Sequence, residues 1–215
     1  MSDELLGQNV SRETYDKLLA YEALIRKWNP SINLIAKSTL PEIWSRHIVD
    51  SAQVYFAASG ELSKKWTDLG SGGGFPGVVI AILAEGDDRI VDLSMVESDK
   101  RKSVFLRTVI RELELSNTKV INERIELAKI PVSNVVSARA LAPLKDLFHF
   151  AQEFSDPETT FLFQKGKNWL SEIEMAQNDW SFDFDTIKNI KGTSSSGTYY
   201  AYVMYIMYPF WNLQN

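Results

Sequence analysis

Residues 68–77 read Asp-Leu-Gly-Ser-Gly-Gly-Gly-Phe-Pro-Gly, and five of the ten are glycine. The stretch follows a short apolar run, Trp66–Leu69, and precedes another, Val78–Ala84, an order that predicts strand, glycine loop, helix. Glycine lets the backbone take positive φ and approach a ligand with no Cβ between them. The helix start that follows offers unpaired N–H groups to a polar or anionic partner. Pro76 has no N–H to leave unpaired and is expected in the first turn of that helix. The expectation is a ligand cradle, since a turn serving only close helix–strand packing rarely needs so many glycines together.

The ligand class is less constrained. Gly72-x-Gly74-x-x-Gly77 satisfies the dinucleotide pattern, a weak signal by itself. Two acids sharpen it: Asp68 before the loop, and Glu97 at the end of the next predicted strand. Asp-x-Gly-x-Gly-x-Gly with an acid closing the second strand resembles the S-adenosylmethionine site of Rossmann-like methyltransferases. That resemblance implies a loop lying under the methionine and ribose part of the cofactor, with Glu97 accepting hydrogen bonds from the ribose hydroxyls. One rival is a nicotinamide-dependent oxidoreductase, but no tyrosine–lysine or histidine–acid constellation stands out to support hydride transfer, and Pro76 departs from the dinucleotide pattern. The other rival is a non-catalytic RNA- or ribosome-binding module, for which a complete glycine loop and Glu97 would be superfluous.

Composition narrows the class. Cysteine is absent, which excludes disulfides, thiolate metal sites and cysteine nucleophiles, and with only His47 and His149 no histidine metal centre is expected. No apolar run approaches the roughly 20 residues a bilayer crossing needs, and Met1–Asn9 is too polar for a signal peptide. The expectation is a soluble cytoplasmic protein, without metal or membrane partner. A net charge of −5 argues against non-specific coating of nucleic acid. The charge is nevertheless sorted. Lys100, Arg101, Lys102, Arg107 and Arg111 fall together with no acid among them, whereas the chain from Asp146 onward holds nine acids and four bases. One face can then be positive on an acidic body, although a solvated helix face explains such a run too.

At 215 residues the chain is one large domain or a domain with an extension. Ser11 is the expected N-cap of a helix to about Trp28, ended by Asn29-Pro30 because the residue before proline is pushed out of the helical region. A second helix is expected from Thr39 to Ala58, with Pro41 in its first turn. Residues 1–62 are thus read as an N-terminal helical extension and 63–215 as the ligand-binding domain. Strands are predicted at Trp66–Leu69, Ile90–Val96, Lys119–Asn122, Val135–Ala138 and Thr160–Gln164. Helices are predicted at Gly77–Glu85, Asp99–Leu115, Arg124–Lys129, Leu144–Phe154 and Trp169–Gln177. Such alternation gives an α/β fold with a mostly parallel sheet and right-handed crossovers. Two further strands, Phe182–Ile190 and Thr198–Tyr208, are joined through the turn-like Gly192–Gly197 and should pair antiparallel, completing a seven-stranded sheet. Asp68 to Gly74, Glu97, Arg139 and Lys165 all fall at predicted strand ends, where such sheets bind ligands near the switch in strand order.

Several separate blocks together resemble the GidB/RsmG family of bacterial ribosomal RNA methyltransferases. They are Trp28-Asn29 with Asn33-Leu34, Arg46-His47 with Asp50-Ser51, the glycine loop ending Phe75-Pro76-Gly77, Glu97-Ser98 with Lys100-Arg101, Arg124-Ile125-Glu126, Ser137-Ala138-Arg139-Ala140, and Lys165-Gly166. The resemblance covers about Leu18 to Gly166. It implies a Rossmann-like class I methyltransferase fold, S-adenosylmethionine as cofactor, and methyl transfer to N7 of one guanine in 16S ribosomal RNA, a component of the small ribosomal subunit. Carried over by position, the cofactor contacts are Gly70, Phe75, Ile125, Glu126 and Arg139, with Asp68, Gly72, Gly74 and Glu97 from the wider fold pattern. Ile125 and Glu126 would flank the adenine. The tyrosine-rich Tyr199–Tyr205 lies beyond the resemblance and reads as a terminal strand with one buried face.

N7 of guanine holds an accessible lone pair, so methyl transfer to it needs no general base. Catalysis can rest on alignment, worth roughly 7–11 kcal/mol in effective-molarity terms. Arg139, His47 and Lys165 are the candidates for positioning substrate; Arg46, Lys100, Arg101 and Lys165 are the candidates for RNA phosphates. Each admits a blander reading: an ion pair with a core acid for Arg139, a satisfied interior group for His47, a solvated loop lysine for Lys165. Trp28, Trp44 and Trp66 read as core aromatics rather than base-stacking platforms. A preference for an assembled or assembling small subunit follows from the acidic body and the sorted charge.

Overall fold

The computed structural model describes residues 3–5, 7–58, 64–87, 89, 91–188, 193–194, 197–198 and 202–212. A short hairpin, β1 (Asp3–Leu5) and β2 (Gln8–Val10), opens the chain and carries no signal in the sequence reading. Helix α1 (Arg12–Ile32) begins where Ser11 Oγ accepts from the Thr14 N–H at 3.0 Å. It does not stop at Asn29-Pro30. Pro30 lies in its last turn, where one missing N–H costs little, and the helix closes at Asn33, which takes positive φ and donates its N–H to Asn29 O. The buried Asn29 secures the exit by accepting from the Ile35 N–H at 2.8 Å.

The second predicted helix has three pitches: a 3-10 stretch at Lys37–Glu42, a wider π turn at Trp44–Val49, and α2 (Asp50–Ala57). Pro41 falls in the 3-10 stretch, where a regular α-helical ladder is already absent. The alternating core follows as β3 (Lys64–Leu69), α3 (Gly77–Gly86), β4 (Val91–Val96), α4 (Lys100–Glu112), β5 (Thr118–Ile121), β6 (Val135–Arg139), α5 (Leu144–Ala151), β7 (Thr160–Lys165) and α6 (Trp169–Ala176). The expected helix at Arg124–Lys129 is a single 3-10 turn, Ile125–Leu127. The chain ends with β8 (Trp180–Lys188), the two-residue strands β9 (Thr193–Ser194) and β10 (Gly197–Thr198), and β11 (Tyr202–Asn212). The remainder of the Gly192–Gly197 turn, the tyrosines at 199 and 200, and the expected boundary at 62/63 lie outside the described residues.

Seven strands form one sheet in the order β5-β4-β3-β6-β7-β11-β8. The first five are mutually parallel, and β11 pairs antiparallel with both β7 and β8. Alternate strand residues feed two cores. Trp66, Leu93, Met95, Val135 and Leu162 join the side chains of α1, α2, α3 and α4 on one face. Leu69, Val96, Val136, Phe161 and Phe163 join those of α5 and α6 on the other. Helix α3 is apolar all round, from Val78 to Ala84, and is accordingly buried all round beneath α1 and α2. Among the described residues no helix is long and apolar enough to cross a membrane. The strand order reverses between β3 and β6, so the loops after these two strands face each other across the switch point.

Candidate functional site

The glycine loop turns back on itself directly after β3. The Ser71 N–H donates to Val96 O at 3.0 Å, and the Gly74 N–H to Ser71 O at 2.7 Å. Gly70 and Gly72 take φ of 64° and 55°, a region that strains any residue with a Cβ. Gly77 is needed for room: a Cβ there would stand 2.8 Å from Asp68 Oδ2 and 3.0 Å from Met95 Sδ. Pro76 is not inside the helix. It caps α3 from the preceding position, with a cis Phe75–Pro76 bond.

Glu97 ties the loop to the end of β4. Its Oε2 accepts from the Gly72 N–H at 2.8 Å and its Oε1 from the Asp99 N–H at 2.7 Å. Each oxygen of a carboxylate has two acceptor directions, so both retain one for a ligand. Between Glu97 and the loop after β6 lies a cleft of about 400 Å³, within the range of small-ligand pockets. Gly70, Gly72, Glu97, Ile125 and Glu126, five of the candidate cofactor contacts, line it. Its other walls include Ser98, Lys102, Arg124, Ala140, Leu141 and Phe150. Leu141 and Phe150 had no signal in the sequence reading, being ordinary apolar residues until the fold brings both to the cleft wall and Leu141 against Gly70. Ser98, Lys102, Arg124 and Ala140 lay within the family blocks or the basic run, without a site role of their own.

Asp68 is fully buried and lies beneath the loop, not in the cleft. Its Oδ1 accepts from Ser137 Oγ at 2.8 Å, while Ser137 Oγ accepts from Trp66 Nε1 at 2.9 Å. Burial pushes its carboxyl up to about 6, against the opposing pull of hydrogen bonds and of Arg139. Phe75 and Gly74 also face away from the cleft. Phe75 packs against the rings of Tyr21 and His47, each with centroids 5.1 Å away, and Tyr21 Oη donates to Gly73 O at 2.6 Å.

Arg139 sits one residue before Ala140, with its guanidinium 4.8 Å over the Phe75 ring and Nη1 donating to Arg46 O at 3.5 Å. Burial lowers its pKa while Asp50, Tyr21 and Asp68 oppose that shift. It therefore belongs to a second cluster on the Phe75 side of the loop, roofed by the π turn. His47 is in the same cluster, its Nε2 2.9 Å from Thr39 Oγ1. Burial and the charges of Arg139 and Arg46 lower it to about 3, so the imidazole is neutral at physiological pH. Arg46 is half-exposed on that roof, 3.9 Å from Glu42.

Lys165 is not the solvent-facing lysine that a phosphate contact requires. Only 6% of its side chain is exposed, and Nζ donates to Ala142 O and pairs with Glu172 Oε2, both at 2.7 Å. The local sequence Gln164-Lys165-Gly166 could not show this, because the partner lies on α6. Lys100 and Arg101, by contrast, are exposed at the start of α4. There Asp99 caps the helix by accepting from the Arg101 N–H at 2.7 Å and the Lys102 N–H at 3.3 Å. Arg107 and Arg111 extend this exposed basic face, and Lys102 connects it to the cleft.

Residues 14–197 match the family model described as GidB, rRNA small subunit methyltransferase G. The chain is 49% identical over 179 residues to a "Ribosomal RNA small subunit methyltransferase G" of Paracoccus denitrificans, covering 83% of this chain and 89% of the relative. It is 50% identical over 177 residues to a protein of the same description from Parvibaculum lavamentivorans, covering 81% and 77%. Among solved structures, an O-methyltransferase from Bacillus cereus in complex with SAH superposes with a TM-score of 0.56 at 13% identity, covering 96% of this chain and 94% of that one. A precorrin-6y C5,15-methyltransferase from Geobacter metallireducens gives 0.54 at 11% identity, covering 82% and 91%. These two likenesses bear on the fold, which is that of the class I methyltransferases.

Proposed function

Because the chain belongs to the GidB family, rRNA small subunit methyltransferase G, it is a methyltransferase, and we propose that it moves a methyl group from S-adenosylmethionine to N7 of one guanine in 16S ribosomal RNA. The observation that supports this most is the cleft at the sheet's switch point, held open between Glu97 and the Ala140–Ala142 wall. In this reading Gly70 and Gly72 would hold the methionine and ribose part, Glu97 the ribose hydroxyls, and Ile125 and Glu126 the adenine. Asp68, Gly74 and Phe75 would act from beneath, by fixing the loop's shape. When bound, the cofactor supplies a methyl on a sulfonium, whose sulfur keeps the bonding electron pair as the guanine lone pair takes the methyl.

The protein's own task is alignment. The acceptor nitrogen loses no proton, so none of the chain's groups has to remove one. Arg139 and His47, on the Phe75 side of the loop, are proposed to position the substrate end of the reaction. A guanidinium on N7 itself would block the attacked atom, so Arg139 is assigned to the cofactor carboxylate or an RNA phosphate. Arg46, Lys100 and Arg101 are proposed phosphate contacts, residues 1–62 an extension packed on the 63–215 methyltransferase domain, and the cytoplasm its place of action.

The test is methyl transfer from labelled S-adenosylmethionine to small ribosomal subunits that lack the modification. The RNA is then reduced and treated with aniline, which cuts at N7-methylguanosine. Incorporation with a single cut is the expected result. Incorporation without a cut would reject the acceptor atom, and cofactor binding without incorporation would reject the substrate.

A further inference from the structure

The wall formed by Ala140, Leu141 and Ala142 is held from behind. Ala140 has φ of 51°, a left-handed conformation in which its Cβ is strained, so the loop needs support from outside itself. Leu141 is fitted closely to the glycine loop: a Cβ on Gly70 would stand 2.5 Å from Leu141 Cδ1. A small shift of this wall therefore alters the cleft directly. Behind the wall, Lys165 Nζ grips Ala142 O at 2.7 Å, and Glu172 Oε2, itself 2.7 Å from Nζ, accepts the Leu144 N–H at 2.9 Å. Two side chains, from β7 and α6, thus hold backbone groups on both sides of Pro143.

We propose that the Lys165–Glu172 pair positions the cofactor cleft, fixing residues 140–144 so that the Ala140–Ala142 wall stays against the glycine loop. The proposal rests on the reading that this cleft takes S-adenosylmethionine. A carbonyl and a helix-start N–H need fixed donors and acceptors, and a lysine–carboxylate pair with a buried ammonium supplies both with less screening by salt than an exposed pair. The strained wall then stays in place in the absence of ligand. Lys165 touches neither cofactor nor substrate in this account; it is a positioning residue.

The experiment measures S-adenosylmethionine affinity by calorimetry, the KM for small subunits, and the salt dependence of that KM, in the full-length protein. Lys165→Met keeps the aliphatic stem and removes the ammonium. It is expected to raise the cofactor Kd about tenfold while the KM for subunits and its salt slope stay unchanged. Glu172→Gln keeps an acceptor for the Leu144 N–H. Combined with Lys165→Met it should recover part of the loss, because no unpaired buried charge then remains. An unchanged cofactor Kd with a raised KM and a shallower salt slope would make Lys165 a phosphate contact and overturn the proposal. A lowered thermal midpoint with unchanged cofactor Kd would overturn it as well, leaving the pair a general stabiliser. If Lys165→Met does not fold, the double variant gives the same readings. Wild-type protein that binds no S-adenosylmethionine would overturn the underlying reading, an outcome distinct from selective loss in the variants.

Discussion

His47 and Asp68 both lie outside the cleft and both feel the charge of Arg139, and burial drives their titrations in opposite senses. The folded protein holds His47 neutral down to about pH 3, whereas an unfolded chain protonates it near 6.5. As pH falls below 6.5 the unfolded state gains a proton that the folded state refuses, so stability is lost; at pH 5 the loss is roughly 2 kcal/mol. Denaturation midpoints of His47→Gln should lack this fall between pH 6.5 and 4, with turnover at neutral pH lowered through poorer substrate positioning but not abolished. Abolished transfer with intact cofactor and RNA binding would show that His47 does move a proton. Asp68 behaves inversely: raised from 3.8 to about 6 by burial, it stabilises the fold below pH 4 and that contribution is lost as pH rises through 6. Asp68→Asn should therefore gain on the wild type by up to about 3 kcal/mol across that interval, read as the difference between two pH profiles. Asp68 and Glu97 were legible in the sequence because each is an acid at the end of a strand, at a fixed place relative to the glycines. Leu141 and Phe150 were not, since an apolar side chain looks the same whether it lines a cleft or a core.

Helix α1 and the glycine loop behave as one piece. Tyr21 reaches from α1 to Gly73 O at 2.6 Å in a buried setting, and a Cβ on Gly74 would stand 2.8 Å from its hydroxyl. Tyr21→Phe leaves that carbonyl without its donor, at a cost of about 1–3 kcal/mol. Urea unfolding should show a lower midpoint at unchanged slope, and cofactor affinity should weaken with it. At the other end of the cleft, α4 presents its basic residues to solvent while Phe105, Leu106 and Val109 anchor its inner face. Reversing Lys100 and Arg101 to glutamate should raise the KM for subunits and lower the salt slope by about one per lost phosphate contact, with cofactor Kd unchanged. The parallel strands were readable to within two residues because their apolar runs alternate with helical periods. The pitch changes from Lys37 to Ala57 were not, because pieces of six, six and eight residues are too short for their different periods to show in the apolar spacing. Pro30 misled for a related reason: a proline in a last turn loses one hydrogen bond, not a helix.

At the scale of the whole molecule, one sheet with a core on each face brings the loops after β3, β4, β5 and β6 to a single edge. The exposed bases of α4 flank that edge, and Lys102 extends them into the cleft. The rest of the chain more than cancels this charge, for a net of −5. Such a protein attracts RNA only where the basic face is presented correctly; elsewhere its acidic body repels the phosphates. Flexible naked RNA offers many wrong orientations and few right ones, and its target base competes for stacking with its neighbours. A ribonucleoprotein surface fixes the approach and presents the base in one geometry, so shape does what net charge cannot. Small subunits, intact or partly assembled, should therefore be methylated with a kcat/KM at least about tenfold above that of protein-free 16S RNA, a difference of about 1.4 kcal/mol in transition-state stabilisation. Added salt should suppress the naked RNA reaction more steeply, because without shape it depends wholly on phosphate contacts. Equal rates on the two substrates, with equal salt slopes, would show that α4 alone suffices and that the acidic body plays no part in choosing the target.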